Sequence, residues 1–123
     1  MHLIKFSKVK HSEKILTQAV IQITQMLGIY HAELARILYL QCADIGELAN
    51  FQSLILENSE TWLQAKKFIK MYECLYQKYD GDEVKIFNWL RKENNELDGE
   101  PLYIMVDELR IDDVIKILCK QGE

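Results

Sequence analysis

A chain of 123 residues, 49% of them hydrophobic and with a net charge of −4, has the size and composition of one compact domain with its own core. The single proline, five glycines and 28% charged residues match a globular, helix-rich protein rather than a disordered or disulfide-built one. The opening residues lack the continuous apolar stretch of a signal peptide, and polar side chains interrupt the uncharged run from Ile15 to Ala32. We therefore predict a soluble, cytoplasmic protein that does not enter a membrane.

The cysteines and histidines bear on redox state and metal binding. Cys42, Cys74 and Cys119 are odd in number, far apart, and embedded in apolar patterns rather than in a Cys-x-x-Cys pair. This usage is typical of reduced thiols in the core of a cytoplasmic protein. The three histidines are scattered, so the ligand spacing of a zinc site is missing. We predict no metal and no cofactor.

The N-terminal region divides into a tail and a helix. Residues 1–13 are rich in lysine, which predicts a flexible basic tail. Apolar residues at steps of three and four, from a predicted N-cap at Ser12 to Leu27, indicate an amphipathic helix that Gly28 ends. The opposite face carries Gln and Thr without charge, which fits either a solvated face or a subunit interface.

Two short helices, about Ala32 to Leu38 and Cys42 to Ala49, are predicted next, joined by a turn at Tyr39. Ala35 is small enough for a close helix crossing, as in a helix-turn-helix. The segment, with its string Ala-Glu-Leu-Ala, resembles the Xre-type repressor motif. The resemblance implies a DNA-reading helix with four candidate residues: Gln41, Cys42, Asp44 and Glu47.

The charge of this segment weighs against DNA binding. Affinity for DNA depends on Lys and Arg side chains that displace counterions from phosphates. No Lys or Arg occurs between Arg36 and Lys66. The same interval contains four acidic residues: Asp44, Glu47, Glu57 and Glu60. We interpret residues 14–58 as a degenerate helix-turn-helix half kept as scaffold, with DNA readout as the alternative.

A long linking helix is predicted over residues 59–79, capped by Asn58 or Ser59. Its aromatic and aliphatic residues alternate steps of three and four, which fits core packing or a dimeric coiled coil. Asp82 is then expected to cap a short helix. The apolar face of that helix is predicted to consist of Val84, Phe87 and Leu90, broadened by Ile86 and Trp89. The string Asp-Gly-Asp-Glu-Val before it lacks the ligand order of a calcium loop.

The sequence turns sharply in the stretch Trp-Leu-Arg-Lys-Glu-Asn-Asn-Glu-Leu-Asp-Gly-Glu-Pro, from Trp89 to Pro101, which we call the corner. Asn94 competes with helix by bonding its own backbone, and Gly99 with Pro101 is expected to end one element and open the next. The pattern after the corner fits two short helices or one bent helix, and we expect two helices that pack on the long helix. Asp107 and Asp112 are the candidate caps for the second of them.

Catalytic signatures are missing from the sequence. There is no nucleophile elbow, phosphate-binding glycine loop or metal cluster. The acids at the corner fit a solvated loop better than an acid/base pair. Residues 80–123 hold 12 acidic and 6 basic side chains, which would steer a basic partner towards them. We predict an all-α interaction protein that is not an enzyme.

The corner also carries a family resemblance. Trp-Leu, then Asn94, then Leu-x-Gly-x-Pro at Leu97, Gly99 and Pro101, followed by two helices, resembles the C-terminal toxin-binding domain of Xre/MbcA/ParS-type antitoxins. With the helix-turn-helix upstream, the resemblance covers about residues 14–122. It implies a partner toxin of the NAD-consuming RES type, covered near its active site by residues 80–123. It further implies repression of the chain's own operon by the complex, and we expect a homodimer.

Carried over by position, the motif residues shape the corner, and their exposed neighbours make the contacts. Pro101 would start the helix that faces the toxin, and the final residues of the chain are further contact candidates. The corner-shaping or toxin-binding set is Trp89, Leu90, Arg91, Asn94, Leu97, Gly99, Glu100, Pro101 and Tyr103. The alternative function is a helix-turn-helix transcriptional repressor.

Overall fold

The computed structural model describes residues 12–120, and over this range the chain contains seven α-helices and no strand. The all-α prediction is therefore confirmed. The helices are α1 (Glu13–Leu27), α2 (His31–Leu38), α3 (Cys42–Ala49), α4 (Glu60–Lys78), α5 (Glu83–Leu90), α6 (Pro101–Val106) and α7 (Ile111–Lys120). None of these helices combines the length and the apolar character needed to cross a bilayer.

The predicted ends of α1 are confirmed. The Ser12 hydroxyl accepts a hydrogen bond of 3.1 Å from the backbone N–H of Ile15, and Gly28 adopts a left-handed conformation with φ 66°. Ser12 and Glu13, which the prediction placed in the basic tail, thus belong to the start of α1. The rest of that predicted tail lies outside the described residues.

The uncharged polar face predicted for α1 is only partly exposed. Thr17 and Thr24 are buried, whereas Ile15, which was expected on the buried stripe, is 47% exposed. The Thr17 hydroxyl donates to the carbonyl oxygen of Glu13 at 2.7 Å and accepts from the backbone N–H of Ile55 at 3.0 Å. These bonds satisfy the buried hydroxyl and fix the chain between α3 and α4 onto α1.

Helices α2 and α3 pack against each other across a three-residue turn. Tyr39 begins the turn in the left-handed region, with φ 62°, and the N–H of Leu40 reaches back to the carbonyl oxygen of Ala35 at 2.8 Å. This is the backbone position that glycine usually occupies at a helix end. Ala35 is buried, as predicted for a close crossing.

Helix α4 lies at the centre of the core. It is capped by Ser59, whose hydroxyl accepts from the N–H of Trp62 at 3.0 Å, and it packs against α1, α2 and α7. Phe68, Met71 and Leu75 are fully buried. The apolar seam of α4 is therefore covered within the chain itself, as the core-packing interpretation predicts.

The prediction of three reduced core thiols is wrong. Cys74 in α4 and Cys119 in α7 form a disulfide across 45 residues, with their Cα atoms 5.8 Å apart, and Cys42 is free and exposed. Spacing along the sequence cannot show that α4 and α7 lie side by side. That packing, which is the most extensive between any two helices, brings the two sulfur atoms together.

Helices α6 and α7 are separate, as predicted, but their placement differs in two respects. Asp107 follows the last residue of α6 instead of starting α7, and Asp112 lies inside the first turn of α7. Arg110 is the residue that precedes α7. Its carbonyl oxygen accepts the first hydrogen bonds of the helix, from the N–H groups of Asp113 and Val114 at 3.1 and 3.4 Å. Helix α7 packs on α4 as predicted, but the predicted packing of α6 on α4 is wrong, since α6 packs mainly on α2 and α7.

Candidate interaction surface at the corner

Helix α5 leads into the corner and buries only part of the predicted apolar face. Its start is as expected, because the Asp82 carboxylate accepts from the N–H groups of Val84 and Lys85 at 3.1 and 3.2 Å. However, Val84 and Phe87 are 69% and 43% exposed. The buried residues of α5 are Ile86 and Leu90. Both pairs satisfy the helical period, and contact with α1 and α6 decides which one is covered.

A closed loop from Asn94 to Gly99 forms the centre of the corner. The backbone N–H of Asn94 donates to the carbonyl oxygen of Gly99 at 2.9 Å, and the N–H of Asp98 donates to the carbonyl oxygen of Asn94 at 2.8 Å. The Asn94 side-chain oxygen also accepts from the N–H groups of Glu96 and Leu97 at 2.9 and 3.2 Å. Asn94 therefore holds the loop through its backbone and its side chain, as an Asx turn does.

Gly99 shapes the corner by close packing. Helix α5 ends at Leu90, so Gly99 does not end that helix as predicted; it closes the loop. A Cβ atom at Gly99 would lie 3.2 Å from Cδ1 of Ile104 in α6, which is tighter than ordinary contact. The left-handed residue in the loop is Asp98, with φ 59°. A side chain at Gly99 would therefore press on Ile104, which would have to shift by a few tenths of an ångström.

The remaining apolar motif residues anchor the corner to the core. Leu90, Leu97 and Pro101 are buried, and Pro101 occupies the first turn of α6 as predicted. Trp89 is half-buried. These residues attach the corner to the core, and of the four only Trp89 is partly accessible.

Trp89 lies in a surface cleft of about 280 Å³ that the sequence did not reveal. The cleft is lined by Tyr79, Lys85, Asn88, Trp89, Lys92, Glu93 and Asn94. Lys85, Asn88, Trp89 and Lys92 lie three or four residues apart, so they share one face of α5 and of the residues that follow it. This spacing could have been recognised in the sequence, but Trp89 was assigned to the apolar face of α5 instead. Burial raises the pKa of the Tyr79 phenol, so this ring stays neutral at physiological pH.

Arg91, predicted as an exposed toxin contact, is partly buried and engaged within the chain. Its guanidinium donates to the carbonyl oxygens of Leu27 and Gly28 at 2.8 and 3.3 Å, and it stacks 3.7 Å from the centroid of the Phe87 ring. The positive charge therefore lies at the negative end of α1. Arg91 joins the corner to the N-terminal part of the chain.

The other predicted contact residues stay accessible. Glu100 is exposed and Tyr103 is 52% exposed, on the side of α6 away from its buried residues. Glu93, Glu96 and Asp98 are exposed along the same corner. The corner and the start of α6 therefore expose four acidic side chains and one aromatic ring. The final residues proposed as contacts, 121–123, lie outside the described part of the chain.

The candidate DNA-reading residues lie apart from the corner, on α3, which packs against α1 and α2. Cys42 and Glu47 are exposed, but the Asp44 carboxylate accepts from the N–H of Gln41 at 2.9 Å and so caps its own helix. Arg36, the nearest cation before α3, donates to the carbonyl oxygen of Val106 at 2.7 Å.

Over residues 12–120, no three His, Cys, Asp or Glu side chains come together in a way that could hold a metal ion. The acids of the corner project into solvent on separate residues of the loop. Their arrangement suits recognition of a complementary surface. No family model matches the chain, and no curated protein matches it.

Proposed function

We propose that this protein is the antitoxin of a type II toxin–antitoxin pair. Its C-terminal half, residues 80–123, binds an NAD-consuming toxin of the RES type and occludes the active site. The observation that carries the proposal is the corner itself, in which the family-like residues Asn94 and Gly99 close a hydrogen-bonded loop at the surface. A preorganised loop binds with a smaller loss of conformational entropy than a mobile one.

The charge of the C-terminal half supports a protein partner with a basic surface. Residues 80–123 carry 12 acidic and 6 basic side chains. Glu93, Glu96, Asp98 and Glu100 are exposed at the corner, next to the exposed ring of Tyr103. Acidic groups around an aromatic anchor are suited to steering and then holding a cationic surface. In this proposal the antitoxin acts as a homodimer and needs no cofactor.

Co-expression with a RES-type toxin encoded beside this chain tests the proposal. The chain should restore growth and co-purify with the toxin. Glu100→Arg, at the corner, should weaken the complex by about tenfold or more through charge reversal. Glu47→Arg on α3 makes the same change in net charge and is the matched control. Failure to rescue growth and to co-purify would refute this pairing.

A second candidate function is transcriptional repression through α2 and α3. Its support is the pair of short helices joined by a three-residue turn, in a chain whose N-terminal sequence is rich in lysine. Against it, the exposed face of α3 carries acids, and Arg36 is bonded to Val106. A mobility-shift titration on the chain's own promoter at two salt concentrations separates the functions. Specific binding with a steep salt dependence supports the repressor.

A further inference from the structure

The Cys74–Cys119 disulfide closes the chain between these two residues into a covalent ring that contains most of the C-terminal half. Cys74 lies in the last quarter of α4 and Cys119 in the last turn of α7, with 45 residues of separation. The ring encloses α5, the corner and α6. Opening the bond therefore changes the constraint on every element between α4 and the end of α7.

The two ends of α7 are held differently. Near the start, Ile111 and Val114 are buried, and Asp112 accepts from the Lys67 ammonium at 3.1 Å. In the last turn, Leu118 is buried and Cys119 is bonded to α4. Within the described residues, the disulfide is the last attachment of α7 to the core. Its loss should release the final turn first.

The position of the bond suits exchange with thiols. Both cysteines are half-buried, unlike the fully buried Phe68 and Leu75 of the same helix α4. A thiolate must reach one of the two sulfur atoms to open a disulfide, and a bond between partly exposed residues is more open to such attack than one in the centre of the core. Cys42 is not part of this redox pair. It lies at the start of α3, and α3 packs on α1 and α2.

We propose that Cys74 and Cys119 form a reversible redox site whose partners are small thiols of the glutathione class, and that the bond latches the end of α7 onto α4. One glutathione thiolate attacks a sulfur of the pair and gives a mixed disulfide and one protein thiolate, which takes up a proton. A second glutathione thiolate then displaces the remaining protein sulfur. The products are two cysteine thiols and one oxidised glutathione, so two electrons pass to the protein.

The test uses the full chain with Cys42→Ser, so that only the pair can react. Samples equilibrated with oxidised or with reduced glutathione are quenched in acid, alkylated and weighed by mass spectrometry. The oxidised sample should carry no alkyl group and the reduced sample two. Amide exchange of the α7 peptide should be about tenfold faster in the reduced sample, while exchange in α1 stays unchanged.

A second variant, Cys42→Ser with Cys119→Ser, should exchange at the fast rate in both buffers. Two alkyl groups on the oxidised sample would overturn the redox site, and equal α7 exchange in the two redox states would overturn the latch. The main comparison is between the oxidised and the reduced state of the Cys42→Ser chain. A folding defect of the variant that also carries Cys119→Ser therefore does not affect it. Because only the isolated chain is measured, the outcome is independent of whether the protein neutralises a toxin.

Discussion

The guanidinium of Arg91 donates to the carbonyl oxygen of Leu27 at 2.8 Å, across 64 residues of sequence. The bond joins the residue that follows α5 to the last residue of α1. Arg36 makes the counterpart bond, 2.7 Å long, to the carbonyl oxygen of Val106 at the end of α6. Two arginines thus occupy the negative ends of two helices, and each ties one half of the chain to the other. The corner is therefore held on the N-terminal half.

Arg91→Ala should destabilise the fold by about 1–2 kcal/mol, because two carbonyl oxygens lose a charged donor and the Phe87 ring loses its stacked guanidinium. Urea unfolding monitored by circular dichroism measures the change. Lys92→Ala, at the exposed neighbouring position, is the control and should change stability by less than about 0.5 kcal/mol. Equal effects of the two variants would contradict the role of Arg91.

Tyr39→Gly should make the protein about 1 kcal/mol more stable than Tyr39→Ala. Both variants remove the same ring, but only glycine relieves the left-handed backbone at φ 62°. Paired urea titrations of the two variants give the difference directly. If the alanine variant proved as stable as the glycine variant, the turn would not be strained at this position.

Asn94→Ala should lower stability by about 1 kcal/mol, since the N–H groups of Glu96 and Leu97 lose the side-chain oxygen that they share. Asn94→Asp keeps an acceptor oxygen and should lose less than half as much. Thermal unfolding of both variants and amide exchange at Leu97 provide the measurement. A larger loss for the aspartate variant would mean that the amide nitrogen matters instead.

Gly99→Val should destabilise the corner by about 1–3 kcal/mol, because its side chain would enter the space next to Ile104. We expect the helical content to survive and the affinity for a RES-type toxin to fall. Gly46→Val is the matched control, since a Cβ atom at Gly46 meets no neighbour within 4 Å. Circular dichroism and toxin titration report the two effects. An unchanged toxin affinity would contradict the role of the corner in binding.

Much of the secondary structure was predictable because it depends on nearby residues. Ser12, Ser59 and Asp82 cap their helices as their positions indicated, and Pro101 begins α6. The Asn94 turn was also predictable, since its hydrogen bonds reach only two to five residues along the chain. In each case the partners are near neighbours in sequence.

The candidate site was predictable in its position and only partly in its residues. The corner motif predicted the turn, but it did not show which of the predicted residues are buried and which are accessible. In the structure Leu97 is buried, whereas Glu100 and Tyr103 are exposed. Arg91 was expected at the surface, as an exposed neighbour of the motif residues. Its actual partner, Leu27, lies in α1, and no local pattern points to it.

The sequence by itself determined the all-α class, the order of the helices and most of their ends, because caps, periodicity and turn residues act over one or two helical turns. Only the tertiary structure decided that α5 buries Ile86 rather than Val84, that Cys74 bonds Cys119, and that Arg91 caps α1. Each of these depends on which distant helices come to lie side by side. The physical reason is that packing selects among faces and partners that local energetics leave nearly equal.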